Sequence, residues 1–560
     1  MVSGSVAVIK SLLEEHVDTI FGYPGGAIMP IYDALFDYTN TKQIRHVLVR
    51  HEQGAAHAAE GYARITGKAG VCFATSGPGA TNLVTGIADA MIDSIPLVCI
   101  TGQVNSTLLG TDAFQEVDVI GITTPITKWN YQITDAREIP EIIQKAFQIA
   151  TTGRPGPVVI DITKDAQFAQ MTYVYPKKNK EIKHTKIKRT QLMKAAALIN
   201  TAQKPLILAG HGVLIAQASK ELKDFAEKAD IPVACTLHGL SALPKKHPLF
   251  FGMLGMHGNY APNILTNKAD VIIAIGMRFD DRVTGRTMDY AKNAKIIHID
   301  IDASEFNKVI PVEIALHADV KQAINEIMPY IKKGDHKSWH TEFNELQQQE
   351  NAKVITPEKI KTENGSIKMA QVMHLLAEKT QGKAIVVADV GQHQMTAARY
   401  YHHMYPNHFI TSGGAGTMGF ALPAAIGAKV GASQIEVIAI IGDGSFQMTL
   451  QELGTIMQEK IPVKIIILNN HFLGMVRQWQ EMFFKKRYSF VDIESPDFIQ
   501  LAKAYNIPGE HVTTQTNLEK ALDTMLINKD AFLLEIDVEK ETNVFPMIPT
   551  GAAVDEMRLE

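Results

Sequence analysis

Short apolar runs rich in β-branched residues recur along the chain, and each ends in a polar, turn-forming cluster. Segments with apolar residues at helical spacing separate these runs, as at Leu450, Leu453 and Ile456. Because strands that alternate with helices form parallel sheets covered on both faces, the pattern predicts an α/β fold. The predicted strands are Val17–Phe21, Gly70–Ala74, Pro96–Thr101, Val158–Ile162, Leu206–Ala209, Val271–Ile275, Ile296–Ile301, Ala384–Ala388, Val437–Ile441 and Val463–Leu468.

Two polar stretches interrupt this rhythm. The first, Tyr175–Thr190, is rich in lysine, and the second, Lys332–Gly365, contains a glutamine run and a proline. We interpret both as interdomain linkers, and the length of 560 residues suits about three domains. We therefore expect three doubly wound domains with mainly parallel sheets, at residues 1–175, 190–330 and 366–560.

The composition narrows the class of protein. An apolar content of 46% with 20% charged residues is typical of a soluble globular protein, and a net charge of −4 argues against a nucleic-acid partner. The three cysteines, Cys72, Cys99 and Cys235, show no metal or redox spacing, so we expect buried thiols in a reducing compartment. No apolar stretch reaches the length of a membrane helix and no leader precedes the first helical pattern. We predict a cytoplasmic enzyme.

Candidate ligand chemistry follows the last two predicted strands. Asp443 stands between Gly442 and Gly444 after the first strand, and Asn470 follows the second. Ligands bind at this edge of a parallel sheet, and these side-chain oxygens suit Mg²⁺ whose other ligands are phosphate oxygens. The helix after Ser445 offers free N–H groups to an anion. The sequence thus predicts a magnesium diphosphate site, although an ordinary strand-end turn remains an alternative.

This stretch resembles the signature of thiamine diphosphate enzymes, which is Gly-Asp-Gly followed by a helix, a strand and Asn-Asn. The segments RHEQGAAHAAEGYAR and SGPGATN resemble the pyrimidine-binding domain of that family, with Glu52 at the position of the catalytic glutamate. Such a carboxylic group hydrogen-bonds the cofactor's pyrimidine ring and promotes its imino tautomer, and apolar surroundings keep it protonated. A helix N-cap or a surface group is the alternative for Glu52.

The same resemblance extends to two further turns. Met418, in the glycine-rich segment Thr411–Gly419, matches the bulky residue over which the cofactor folds, although it could instead fill the core. The turn that starts at Gly391 resembles the one that contacts the diphosphate. The resemblance implies a thiamine diphosphate site of Glu52, Gly391, Gln392, His393, Gly416, Met418, Asp443, Gly444, Ser445, Asn470 and Met475, and Mg²⁺ ligands from Asp443, Asn470 and the Phe472 backbone carbonyl.

Motifs over nearly the whole chain, among them FGYPGGAIMPIYDAL, GTDAFQE, RFDDRVTG and LGMVRQWQEMF, resemble the catalytic subunits of the acetohydroxyacid (acetolactate) synthase family. This implies decarboxylation of pyruvate and ligation to pyruvate or 2-oxobutyrate, in branched-chain amino acid biosynthesis. In the family, Arg282 would bind the acceptor carboxylate, Trp479 would shape the acceptor pocket, and Gln115 and Gly25 would line the active site. A surface salt bridge and a core aromatic are the respective alternatives for Arg282 and Trp479.

RFDDRVTG resembles the biosynthetic branch, which binds FAD in its middle domain; FAD would be structural, because carboligation involves no net redox change. The alternatives are an FAD-free catabolic synthase, an FAD-dependent pyruvate oxidase, a nicotinamide dehydrogenase and a non-catalytic subunit, and Ile215 breaks the dinucleotide fingerprint after Gly210. The implied FAD residues are Arg154, Gly210, Gly212, Leu237, Met256, His257, Gly276, Arg278, Asp281, Arg282, Asp300, Ile301, Asp319 and Val320.

Glu52 and Asp443 belong to different predicted domains, so the cofactor must bridge two domains. The family builds this site between two chains, which implies a homodimer or homotetramer. The resemblance also implies a small regulatory subunit.

The segment after Gln103 departs from the family pattern and generates a prediction. The family has proline and then basic residues at this rim of the substrate entrance, which is also its sulfonylurea site, whereas this chain has Asn105, Ser106 and Thr107. We therefore expect weak inhibition of the purified enzyme by sulfonylureas, measured by titration. Inhibition at nanomolar concentration would contradict this.

Overall fold

Three parallel sheets of six strands each dominate the computed structural model, which describes residues 1–177, 186–359, 362 and 365–560. The predicted α/β fold with three domains is confirmed. Most strand residues are fully buried, because helices cover both faces of each sheet. The lysine-rich connector lies partly outside the described residues.

The strands of the first domain are β1 (Val2–Ser3), β2 (Thr19–Gly22), β3 (Arg45–Leu48), β4 (Gly70–Ala74), β5 (Leu97–Gln103), β6 (Trp129–Ile133), β7 (Pro157–Thr163) and β8 (Gln170–Met171). The parallel sheet has the strand order β3-β2-β4-β5-β7-β6. Strands β1 and β8 form a separate short antiparallel pair.

The second and third sheets have the same design. The second comprises β9 (Pro205–Ala209), β10 (Val233–Cys235), β11 (Phe250–Met253), β12 (Val271–Ile275), β13 (Lys295–Asp300) and β14 (Ile314–His317). The third comprises β15 (Ile385–Ala388), β16 (Phe409–Thr411), β17 (Val437–Gly442), β18 (Lys464–Asn469), β19 (Gly509–Val512) and β20 (Phe532–Asp537). Their strand orders are β11-β10-β9-β12-β13-β14 and β16-β15-β17-β18-β20-β19.

Helices connect the parallel strands. In the first third of the chain they are α1 (Gly4–Glu14), α2 (Met29–Asn40), α3 (Glu52–Thr66), α4 (Pro78–Asn82), α5 (Val84–Asp93), α6 (Val119–Thr123), α7 (Ile139–Thr151) and α8 (Lys164–Phe168). In the middle they are α9 (Arg189–Thr201), α10 (His211–Ile215), α11 (Ser219–Ala229), α12 (Tyr260–Thr266), α13 (Asp281–Thr284), α14 (Val320–Ile327), α15 (Lys337–Glu350) and α16 (Thr356–Lys359). The last third has α17 (Met369–Thr380), α18 (Gln392–Tyr400), α19 (Ala421–Gly431), α20 (Asp443–Thr449), α21 (Leu453–Glu459), α22 (Gly474–Phe483), α23 (Phe498–Ala504) and α24 (Gln515–Ile527).

The second predicted linker contains helix α15, which the sequence analysis did not identify. Trp339 and Phe343 are buried in the core of the central domain, and the Trp339 indole N–H donates to the Pro205 carbonyl at 2.8 Å. Glu350, at the end of this helix, pairs with Arg399 of the third domain, and both side chains are buried. The polar surface of the helix, including its glutamine run, concealed its apolar positions.

No helix within the described ranges is long and apolar enough to cross a membrane. Cys72, Cys99 and Cys235 are buried free thiols, as their apolar surroundings predicted.

Helices α3 and α19 join the first domain to the third at very close range. A Cβ atom on Gly61 would lie 2.0 Å from the carbonyl oxygen of Ala424, and one on Gly427 would lie 1.7 Å from that of Ala58. Only glycine permits such an approach of two helix backbones. The apolar residues of both helices belong to one core, so this contact fixes how the two domains sit together.

Replacing Gly61 by alanine is expected to weaken this contact. The added methyl group forces the helices apart, and overpacking of this kind lowers the free energy of unfolding by about 1–3 kcal/mol. Urea unfolding followed by circular dichroism measures the change. Gly26→Ala is the matched control, because nothing lies within 4 Å of a Cβ there. Equal stability of the two variants would contradict the prediction.

Candidate active site

Glu52 is the first residue of α3 and lies just beyond the carboxyl end of β3. Its side chain is only 8% exposed, and one carboxylate oxygen accepts a hydrogen bond from Asn82 Nδ2 at 3.0 Å. His51 is the N-cap of the helix and accepts from the Gln53 amide. Glu52 is therefore neither the cap nor a surface group, which leaves a buried carboxyl held by one amide.

The turn after β4 brings Glu52 close to Gly25. A Cβ atom on Gly79 would lie 3.2 Å from Glu52 Oε1, and the same position contacts Thr75. A Cβ on Gly25 would lie 2.5 Å from the Thr75 side chain, so Gly25 must be glycine if the loop is to stay against this turn.

Gln115 packs on the other side of the same turn. A Cβ atom on Gly77, whose φ is +57°, would lie 3.1 Å from the Gln115 Cα atom. The structure therefore brings three of the predicted catalytic residues together. We refer to Gly25, Glu52, Thr75, Asn82 and Gln115 as the first-domain half-site.

Asp443 and Asn470 lie at the carboxyl ends of neighbouring strands β17 and β18, as predicted. Asp443 is buried, which raises the pKa of its carboxyl group to about 6. The Asn470 amide nitrogen lies 3.4 Å from Gln392 Oε1, and its oxygen accepts from the Phe472 amide at 3.3 Å. A carboxylate and an amide oxygen at one sheet edge, beside the Phe472 carbonyl, form an oxygen donor set that fits Mg²⁺.

Two glycines beside this donor set lie directly against the ring of His393. A Cβ atom on Gly391, whose φ is +150°, or on Gly442 would lie 2.8 Å from the His393 ring. Burial lowers the pKa of His393 to about 3, so the ring is neutral, and among the described residues its Nε2 atom has no partner. Ser445 Oγ donates to the Val390 carbonyl at 3.3 Å. We refer to this sheet edge, at which Gly391 and Gly442 lie against the neutral His393 ring, as the cradle.

Met418 projects over this cradle from the glycine-rich turn. A Cβ atom on Gly444 would lie 4.0 Å from Met418 Cε, and Met418 is only half-buried. Asp389 accepts from the amides of Gly419 and Ala421 at 2.9 and 2.8 Å and so fixes the end of the turn. Met418 is thus a partly exposed residue held by its neighbours and does not fill the core. We refer to Gly391, His393, Met418, Asp443 and Asn470 as the third-domain half-site.

A cavity of about 1050 Å³ lies where the three domains meet. All the predicted FAD residues except Gly210 line it, together with Met418, Met475 and Trp479. Gly210 lies just behind the wall, because its Cβ would be 2.3 Å from the Gly276 carbonyl oxygen. Burial raises the pKa of Asp300 on this wall to about 6. Its volume and its mixed polar and apolar walls fit a large cofactor.

Arg282 and Trp479 lie on the wall of the same cavity. Arg282 Nε is 3.7 Å from Asp281 Oδ2, and both side chains are mostly exposed, so the surface ion pair considered from the sequence also exists. Trp479 is half-buried and its ring lies 5.3 Å from that of Phe483. The tryptophan therefore faces the cavity and does not belong to a closed core.

Glu52, Gly25 and Gln115 do not line this cavity, whereas Gly391 and Met418 of the third-domain half-site do. Two residues that support the half-sites are absent from the predicted site. Asn82 is the last residue of the SGPGATN motif, and Asp389 follows the predicted strand Ala384–Ala388. Both positions are visible in the sequence, but their partners are distant along the chain.

Comparison with known proteins places the chain in a family. Models of thiamine pyrophosphate enzymes match in order: the N-terminal TPP binding domain at residues 2–122, the central domain at 192–327 and the C-terminal TPP binding domain at 389–536. The chain is 44% identical to the acetolactate synthase isozyme 2 large subunit of Escherichia coli K12, over 99% of each chain. It is 46% identical to the acetolactate synthase large subunit of Lactococcus lactis IL1403, over 99% of this chain and 96% of the relative.

Proposed function

The chain belongs to the acetolactate synthase large subunits, a family of thiamine pyrophosphate enzymes, and we infer that it catalyses their biosynthetic reaction. It decarboxylates pyruvate and joins the two-carbon unit to pyruvate or 2-oxobutyrate, the first common step toward valine, leucine and isoleucine. The observation that carries this conclusion is the presence, in a chain similar over its full length to these enzymes, of both a buried Glu52 and a sheet edge with the oxygen donors Asp443 and Asn470. A dehydrogenase or a non-catalytic subunit would need neither.

The third-domain half-site would hold the diphosphate and its metal. Mg²⁺ would be bound by the Asp443 carboxylate, the Asn470 amide oxygen and the Phe472 carbonyl, and the diphosphate would rest on the glycine floor around Gly391. Thiamine diphosphate, when bound, supplies a carbanion at its thiazolium ring and accepts the electrons released as CO₂ leaves pyruvate. Met418 would support the folded cofactor, because its side chain already reaches over Gly444.

The first-domain half-site would control the proton on which this chemistry depends. Glu52 would hold a proton against a ring nitrogen of the pyrimidine, and the Asn82 hydrogen bond orients its carboxyl group. Arg282 would bind the acceptor carboxylate through its guanidinium fork. Trp479 would shape the acceptor pocket, while Gln115 and Gly25 would line the active site.

We propose that FAD occupies the large cavity as a structural cofactor. The cavity has the volume for a dinucleotide-sized ligand, and Asp300 and Asp319 lie on its wall as acceptors for ribose or adenine groups. The ligation consumes and produces no electrons, so the flavin would have no redox task.

We propose a homodimer or homotetramer in which each active site combines half-sites of two chains. Glu52 is the first residue of α3, and Arg64 lies twelve residues further along the same helix. Arg64 contacts Asp93, which accepts a hydrogen bond from Gly413 in the turn before Met418. At 1.5 Å per residue, about 18 Å of helix separate Glu52 from this turn, which is too far for one cofactor to touch both. The relatives are named large subunits, which supports a second, smaller regulatory subunit.

Product analysis tests the reaction. With pyruvate alone we expect acetolactate, and with added 2-oxobutyrate also acetohydroxybutyrate, both quantified by mass spectrometry. Omission of thiamine diphosphate or Mg²⁺ from the apoprotein should abolish both products. Purified protein should be yellow and consume no oxygen with pyruvate; oxygen uptake would indicate a pyruvate oxidase, and full activity without flavin would indicate the catabolic type.

Substitutions in the two half-sites test how the site is assembled. Glu52→Gln removes the proton-holding carboxyl group, and we expect turnover to fall by about 10²–10⁴-fold. Asp443→Asn should be similarly inactive, because it removes the charged metal ligand. Glu141→Gln, an exposed change in the same domain as Glu52, is the control that should retain full activity.

Mixing the Glu52→Gln and Asp443→Asn chains then decides between one chain and two. If each site uses Glu52 of one chain and Asp443 of another, mixed oligomers contain one intact site, and acetolactate synthesis should reappear after subunit exchange. Mixed oligomers that remain inactive would show that each site lies within one chain.

A further inference from the structure

Asp93, at the end of α5, is the residue at which all three domains meet. From the first domain, Arg64 Nη2 lies 2.8 Å from its Oδ2 atom. From the third domain, the amides of Gly413 and Gly414 donate to its two carboxylate oxygens at 3.1 and 2.8 Å. Its side chain is buried, so these contacts are made away from water and are correspondingly strong.

The central domain contributes two histidines to the same residue. His238 Nε2 lies 3.0 Å from Asp93 Oδ1, and His211 Nδ1 lies 3.1 Å from the Asp93 carbonyl oxygen. The two imidazole rings stack with centroids 5.2 Å apart. Both histidines and Asp93 line the large cavity, so a ligand there would touch the wall that they form.

Electrostatics keep Asp93 ionised. Burial alone would raise its pKa, but the nearby His238 and Arg64 side chains and the Gly413 amide hold the pKa well below its usual value. A buried carboxylate with these partners is fixed in position, because any displacement would leave charged or polar groups unpaired.

The turn that carries Met418 has little freedom to move independently of this wall. A Cβ atom on Gly413 would lie 2.1 Å from His238 Nε2, so the ring and the turn backbone are in direct contact. Asp89, one helical turn before Asp93, accepts hydrogen bonds from Ser412 Oγ and Thr417 Oγ1. A shift of His238 must therefore be passed to Gly413, to Asp93, or to both.

We propose that Asp93 is a positioning residue that couples the cavity to the Met418 turn, so that a ligand bound in the cavity strengthens the binding of thiamine diphosphate. The proposal rests on the proposed function, because it takes FAD as the occupant of the cavity. In this proposal the flavin contributes by strengthening the binding of thiamine diphosphate and transfers no electrons. A ligand in the cavity restricts the position of His238. Because Asp93 contacts both His238 and the turn before Met418, the position of that turn beside the cradle is restricted as well.

Binding measurements on the apoprotein test this coupling without recourse to activity. Calorimetry gives the dissociation constant of Mg²⁺–thiamine diphosphate with and without saturating FAD, and flavin fluorescence gives that of FAD with and without Mg²⁺–thiamine diphosphate. For the wild-type protein we expect each ligand to tighten the other by the same factor, in the range of about 5–150-fold. Equal factors in both directions are required by thermodynamic linkage.

Two substitutions and a control locate the coupling. Asp93→Asn should weaken Mg²⁺–thiamine diphosphate binding even without FAD, because the turn loses its charged anchor, and should abolish the effect of FAD. His238→Gln leaves Asp93 with Arg64 and the turn amides, so only the effect of FAD should be lost. Asp161→Asn is the matched control, since the hydrogen-bond partners of this buried aspartate among the described residues, Thr101, Gln103 and Gln132, all belong to the first domain.

The outcomes separate this proposal from the proposed function. If wild-type protein binds both ligands independently, the coupling is overturned while acetolactate synthesis and structural FAD stand. If wild-type protein binds no FAD, both the coupling and the FAD assignment fall. Coupling that persists in His238→Gln, or that disappears equally in Asp161→Asn, overturns the role of Asp93. Should Asp93→Asn fail to fold by circular dichroism, His238→Gln decides the question alone.

Discussion

The contact of α3 with α19 is the constraint on which the arrangement of the sites depends. Gly61 and Gly427 let the two helix backbones touch, and this locks the first and third domains into one body. Glu52 begins the first of these helices, and Met418 lies three residues before Ala421, the first residue of the second. Because the two helices are locked together in one core, this contact sets the position of Glu52 relative to Met418 within one chain.

Three buried carboxylates, those of Asp89, Asp93 and Asp389, hold the glycine-rich turn that precedes α19. Asp389 holds the turn after Met418 from within its own domain, whereas Asp89 and Asp93 hold the turn before it from the first domain. Each carboxylate accepts at least two hydrogen bonds from this turn or from the start of α19, although burial still raises the pKa of Asp89 and Asp389. These hydrogen bonds hold the glycine-rich turn in place.

The central domain meets the other two domains at the large cavity. Its walls come from all three domains, and they include the Met418 turn as well as Arg282 and Trp479. Residues that the family resemblance assigns to FAD and to the acceptor substrate therefore share one space.

The sequence by itself determined the fold class and the chemistry of the sheet edges. Strand runs such as Val437–Ile441 and the polar residues that follow them are local signals, because strand periodicity and turn composition depend on neighbouring residues. The donor pair Asp443 and Asn470 could be predicted for the same reason, since parallel strands end at a common edge. Helix α15 escaped prediction because its few apolar positions are spaced within a polar segment.

Only the tertiary structure decided which residues act together across the chain. Asp89 and Asp93 are four residues apart on an otherwise apolar helix, which hints at a buried function, but their partners lie more than 100 residues away, at His238 and in the glycine turn. The same is true of Gly61, whose neighbour Ala424 belongs to another domain. Such pairings depend on how whole domains pack. The packed surfaces are assembled from segments that are distant along the chain, so a local sequence pattern does not reveal them.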